Sequence, residues 1–118
     1  MHVISPRKLR EFWQAKPAHA DAQVPLKRWQ ALVEAAHWQT FADAKQLFGH
    51  NVDEFSLPGR RPNATVFNAG SNKYRIATLV LYHPVNRVYI KRVMTHDEYD
   101  AKLWHYDYQE ADEKESKR

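Results

Sequence analysis

Four side chains in the second half of the chain, Arg75, Lys91, His96 and Tyr99, are of the types that handle a phosphodiester without help. Cleavage of RNA asks for little more. The substrate carries its own nucleophile, the 2′-hydroxyl, beside the scissile phosphate. A protein has to take the proton from that hydroxyl, neutralise charge on the phosphoryl oxygens and protonate the departing 5′-oxygen. Arg75 and Lys91, expected on adjacent strands, suit the phosphate, and His96 or Tyr99 suits the protons. DNA lacks the 2′-hydroxyl and would not be cut this way.

Composition removes most rival chemistries. The 118 residues include no cysteine, which excludes disulfides, Cys-ligated metals and thiol catalysis and fits a reducing cytoplasm. The seven histidines come no closer in sequence than His96 and His105, with no His-x-His or HExxH spacing, so neither a metal nor a cofactor is expected. Ser5, Ser56, Ser71 and Ser116 lie outside any G-x-S-x-G, and Gly49, Gly59 and Gly70 are too scattered for a phosphate-binding loop. No apolar run approaches the roughly 18 residues of a membrane span, and the first residues do not read as a signal peptide, so a cytoplasmic protein without membrane contact is expected.

Charge is unevenly placed. The net charge is +4, yet from Phe55 to His96 there are seven bases (Arg60, Arg61, Lys73, Arg75, Arg87, Lys91, Arg92) and no Asp or Glu. Lysine or arginine on edge strands guards against aggregation, but glutamate does so equally well, so edge protection leaves the missing acids unexplained. An anionic partner explains both, with nucleic acid ahead of an acidic protein segment. Lys73, Arg60, Arg61, Arg87 and Arg92 are the expected RNA-binding cations, and Asn72, in the turn before Lys73, offers an amide to a phosphate or a base.

The elements that position these residues follow from local patterns. His2-Val3-Ile4 reads as a short strand. Ser5 is placed to cap a helix over 6–16 that carries Leu9, Phe12 and Trp13 on one side. A second helix spans 20–36, starting nearer Val24 because of Pro25, and Thr40 and Gly49 bound a third. The pattern then changes to strands over 64–68, 73–82 and 87–94, separated by turns at 69–72 and 83–86. A four-residue turn at 83–86 would put Arg75 and Lys91 on opposite faces, and a five-residue one would unite them. Thr95-His96-Asp97-Glu98 is a capping box opening a helix over 96–106. The expectation is an α+β domain over 1–106, with helices packed on one face of an antiparallel sheet, the basic face left for a partner, and a charged flexible tail over 107–118. Trp104 either packs the last helix or stacks nucleobases.

The segments Asn68-Ala69-Gly70-Ser71-Asn72-Lys73-Tyr74-Arg75 and Val88-Tyr89-Ile90-Lys91-Arg92-Val93-Met94-Thr95-His96-Asp97-Glu98-Tyr99-Asp100 resemble the HigB toxin family. Its members are RelE-like mRNA interferases of bacterial type II toxin–antitoxin modules, and the likeness extends over about residues 1–104. It implies a small RelE-like RNase fold and a metal-independent endoribonuclease that cleaves mRNA on the translating ribosome. It also implies inhibition by a helix-turn-helix, HigA-like antitoxin, through which alone DNA would be contacted. Lys91 stands where the family commonly has arginine, so a point charge replaces a planar fork there. A non-catalytic basic module that blocks translation by binding RNA or the ribosome is the alternative.

Overall fold

Strand β4 (Tyr74–Leu81) is buried along all eight of its residues, as a central strand rich in Ile, Leu, Val and Tyr must be when both sheet faces are covered. The structure, a computed structural model, describes residues 1–109. On one side β4 pairs with β3 (Ala64–Ala69), and on the other with β5 (Arg87–Thr95), both antiparallel. Two further strands complete the sheet in the order β1-β5-β4-β3-β2: β1 (His2–Ile4) and β2 (Val52–Phe55). Two expectations change here. The sheet is mixed rather than antiparallel, because β1 runs parallel to β5 with Val3 opposite Val88. The strand β2 was not anticipated; its central Asp53 and Glu54 are exposed, which makes it a charged edge rather than an apolar strand.

One face carries the helices α1 (Arg7–Ala15), α2 (Gln23–Glu34) and α3 (Phe41–Phe48). Leu9, Leu26, Trp29, Val33 and Ala44 pack there with Phe67, Tyr74, Ile76, Val80, Val88 and Ile90. Ser5 does not cap α1: its φ is 66°, in the left-handed region, and the N-cap position is Pro6 without a side-chain cap. The second expected helix divides into a 3-10 segment, Pro17–Ala22, and α2. That division turns His19 and Asp21 toward the sheet end described below. Helix α3 is bounded as expected, with the Asp43 carboxylate accepting from the Gln39 and Thr40 N–H groups at 2.8 and 3.3 Å and Gly49 ending it at φ 59°.

The opposite face is not left open. Thr95 and Glu98 form the expected reciprocal cap of α4 (His96–Asp100), with the Glu98 N–H donating to Thr95 Oγ1 at 3.3 Å and the Thr95 N–H to Glu98 Oε1 at 3.1 Å. The helix then stops instead of running to 106. Lys102 adopts φ 64°, and a 3-10 segment, Leu103–Asp107, doubles back over the sheet. Trp104 and Tyr108, both buried, cover Leu57, Ala64, Val66, Ala77, Leu79, Leu81 and Met94. Trp104 Nε1 donates to the Tyr99 carbonyl at 3.0 Å and the Tyr108 hydroxyl to the Thr78 carbonyl at 2.5 Å. A continuous helix would have carried this apolar material past the sheet. Packing therefore continues to Tyr108, beyond the boundary expected at 106, and the remainder of the expected tail, 110–118, lies outside the described residues. Trp104→Ala should destabilise the protein by about 3–5 kcal/mol, read as a lowered urea midpoint, because no neighbouring element can fill the indole's place.

Candidate functional site

The hairpin between β4 and β5 decides which cations share a face. Leu81 pairs with Arg87, so the connection is five residues long, and the register shifts by one between Ala77 and Thr78 where β5 bulges at Lys91. Ile90 packs on the helical face, Ala77 stands opposite Arg92, and Arg75 stands opposite Met94. A bulge places two consecutive side chains on one side of a strand. Lys91 and Arg92 thus join Arg75 on the face covered by Trp104 and Tyr108, with the Lys91 ammonium 5.8 Å from the Tyr108 ring centre.

Arg75 is the unusual member. It is 8% exposed, and among the described residues no carboxylate pairs with it. Its Nη1 donates to the Asn72 carbonyl at 2.6 Å and the Tyr74 carbonyl at 3.2 Å. The guanidinium lies 5.2 Å from the Tyr99 ring centre, where the ring's electron-rich face gives part of what a counter-ion would. Tyr99 is itself held by a stack on Trp104, 5.6 Å between centroids and 11° between planes. Burial pushes the Tyr99 hydroxyl above its ordinary range, with Arg75 pulling the other way. The phenol is therefore a neutral donor at physiological pH and not a base.

His96 opens α4, its N–H donating to the Lys73 carbonyl at 3.2 Å. That bond ties the start of the helix to the turn that also anchors Arg75. One turn along, Asp100 sets its Oδ2 2.8 Å from His96 Nδ1, both side chains about half exposed. An i, i+4 partner of this kind is readable from helix spacing, and Asp100 stands four residues after His96. His96, Asp97 and Asp100 also bring possible ligand atoms within 4.8 Å of one another, although the histidine spacing alone shows no ligand set.

The remaining expected cations separate. Lys73 is exposed at the same turn but is paired with Asp21 at 2.5 Å. Arg92 Nη2 donates to Asp107 Oδ1 at 3.0 Å, and its Nε lies 2.7 Å from Oδ2. Arg61 donates to the carbonyls of Tyr108 and Pro58 at 3.1 and 3.0 Å. Arg60 and Asn72 are exposed. Arg87 pairs with Leu81 and His2, at the far end of the sheet from Arg75. The acid-free stretch is thus answered by Asp21 and Asp107, which flank it in sequence and return to it in space. Charge counted along the chain cannot show that.

Asp21 is the most connected of the residues that sequence reasoning missed. It accepts from Lys73 and from the Tyr74 hydroxyl, the latter at 2.5 Å. The Tyr74 ring meets Phe12 edge-on and is buried. The Lys73 ammonium first, and the Tyr74 hydroxyl second, hold the Asp21 carboxyl below its usual value. Burial first, and Asp21 second, push the Tyr74 hydroxyl up.

One sheet end of this small α+β domain thus gathers a buried guanidinium, an exposed lysine turn and a histidine–aspartate pair. Residues 22–102 match the family described as HigB_toxin, the RelE-like toxic component of a toxin–antitoxin system, and the chain belongs to that family. As a toxin component it has an antitoxin for a partner. It is similar to the mRNA interferase toxin HigB of Escherichia coli (strain K12) and to the mRNA interferase HigB of Shigella flexneri. Each is 28% identical over 100 residues, which is 85% of this chain and 88% of the relative. No helix among the described residues is long and apolar enough to cross a membrane.

The Asp21 pairing sets a pH dependence. A carboxyl whose folded pKa is depressed adds stability that is fully present above its unfolded value of 3.8. That stability is lost as pH falls through the lower folded value. Thermal melts taken from pH 6 downward should show the wild type losing stability more steeply below about pH 4 than Asp21→Asn, with the two curves parallel near neutrality.

Proposed function

We propose that this protein is a metal-independent endoribonuclease that cleaves mRNA on the translating ribosome and so inhibits translation. In this reading it is a cytoplasmic toxin neutralised by a helix-turn-helix, HigA-like antitoxin. The observation that carries the reading is Arg75, a guanidinium almost withdrawn from water and given an aromatic face instead of a carboxylate. Burying a cation without an anion is costly. The cost is offset when a phosphate arrives, because desolvation then strengthens the attraction.

Arg75 and Lys91 neutralise the phosphoryl oxygens. Tyr99 holds the guanidinium by its ring and, as the neutral phenol, gives its proton to the departing 5′-oxygen as the 2′-oxygen–phosphorus bond forms and the phosphorus–5′-oxygen bond breaks. His96 takes the proton from the 2′-hydroxyl. Asp100 lies beside Nδ1, so Nδ1 keeps the ring's own proton and Nε2 is free to accept another, the arrangement by which a carboxylate orients a histidine base. Asn72, Lys73, Arg60, Arg61, Arg87 and Arg92 guide the RNA backbone. Lys73 and Arg92 do so as members of near-neutral pairs, hence with less pull than their formal charge. The family membership and the mRNA interferase names of the relatives support the substrate.

In single-turnover assays with mRNA on ribosomes, Arg75→Ala should slow cleavage by about 10²–10³-fold, as removal of one transition-state donor does. The exposed His96→Gln should slow cleavage to a similar degree with its melting temperature unchanged. Affinity for the ribosome should stay near wild type in both. A basic module that acted by binding alone would cut nothing and would lose affinity in step with each cation removed, with a matching salt slope. Cleavage should survive EDTA with the ribosomes kept intact by means other than free divalent metal. A requirement for added metal would reassign His96, Asp97 and Asp100 as ligands.

A further inference from the structure

A pocket of about 390 Å³ opens between the 3-10 segment Pro17–Ala22 and the start of α4, lined by Ala18, His19, Lys73, Tyr74, Thr95, His96 and Asp97. That volume falls in the range of small-ligand sites, about 300–1,000 Å³. The pocket adjoins the turn that anchors Arg75, yet neither Arg75 nor Tyr99 lines it. His19 lines it together with His96 and has no part in the chemistry assigned above.

The setting of His19 fixes what it can do. Its ring stacks on Phe12, 4.3 Å between centroids and 7° between planes, and meets the Tyr74 ring edge-on at 6.1 Å. Its Nδ1 is enclosed and has no hydrogen-bond partner. An enclosed N–H without an acceptor is costlier and rarer than an enclosed lone pair. The neutral ring therefore carries its proton on Nε2, the nitrogen left to meet a ligand. The ionisable groups that share the pocket with His19 are Lys73 and Tyr74 from the β4 side and His96 and Asp97 from α4, with Asp21 on its own segment bonded to Tyr74. Lys73 and Asp21 neutralise one another.

We propose that this pocket seats one nucleotide of the RNA and that His19, through its Nε2–H, donates a hydrogen bond to a phosphoryl or ribose oxygen opposite His96. His19 is in this sense a fixed donor that positions the substrate, while proton transfer stays with His96. The proposal rests on the mRNA-cleaving reading for the identity of the ligand. The pocket and the tautomer of His19 stand apart from that reading.

The test uses His19→Phe, which keeps the ring on Phe12 and removes the nitrogen, and His19→Gln, whose amide N–H reaches the place of Nε2–H. Two measurements are made on the full chain: affinity for a 2′-O-methyl RNA oligonucleotide, which cannot be cut, and the pH–rate profile of mRNA cleavage on ribosomes. His19→Phe should melt like wild type, bind the oligonucleotide about tenfold or more weakly and lose at least as much in cleavage. His19→Gln should stay within about threefold of wild type on both measurements, and neither variant should displace the pH profile. Wild-type affinity and cleavage in His19→Phe would overturn the proposal. So would a His19→Gln as impaired as His19→Phe, or one with a displaced pH profile, since either makes His19 more than a donor. If wild type fails to cut mRNA while His19→Phe still weakens oligonucleotide binding, the nuclease reading falls and the pocket stands.

Discussion

Both faces of β4 have to be kept from water, and that requirement shapes the whole domain. A strand with Tyr74, Ile76 and Val80 on one side and Ala77, Leu79 and Leu81 on the other needs two coverings. The chain has one obvious covering, its three N-terminal helices. The second is assembled from what remains, a six-residue return carrying Trp104 and Tyr108. The same doubly covered strand carries Arg75 as its second residue, so the guanidinium inherits burial from its position in the sheet. A cation at the end of an edge strand would be solvated and paired like any surface arginine. Here the backbone places the charge where water is scarce, and Tyr99 and the turn carbonyls make it tolerable.

Much of the element order was legible because it rests on chemistry between near neighbours. Thr95 and Glu98 cap α4 across three residues, Gly49 ends α3, and the strands β3, β4 and β5 declare themselves by β-branched and aromatic content. That Arg75, His96 and Tyr99 meet at one end of the sheet follows from that order, whereas the face of Lys91 depended on the length of the β4–β5 turn. What was not legible depends on distance in sequence. Nothing near Val3 announces that it will run parallel beside Val88, and nothing near Trp104 announces the left-handed residue at Lys102 that folds it back. Propensity favoured a helix continuing through 106. The unburied face of the sheet overrode it.

Electrostatics show the same limit. A stretch with seven bases and no acids suggests a continuous positive surface, yet Lys73 meets Asp21 and Arg92 meets Asp107 from either flank. Both acids sit on segments whose placement is tertiary: Asp21 on the 3-10 turn ahead of α2, Asp107 on the return beyond α4. The positive character that remains is concentrated at fewer points than composition implies. Arg75 is the buried one of these points, and no carboxylate among the described residues pairs with it.

The bulge at Lys91 also separates two halves of β5 that a regular strand would lock together. A pleated strand has a single rotational phase: choosing which side Val88 faces chooses it for Thr95 as well. In this chain the first half is phased by the parallel edge, with Val88 and Ile90 turned to the helices, while the second half is phased by Met94 against Arg75 and by the cap that launches α4. The one extra residue lets each half keep its own phase. The side-chain phase set at the N-terminal edge strand therefore stops at Lys91 and does not dictate the phase at the end of the sheet that holds His96.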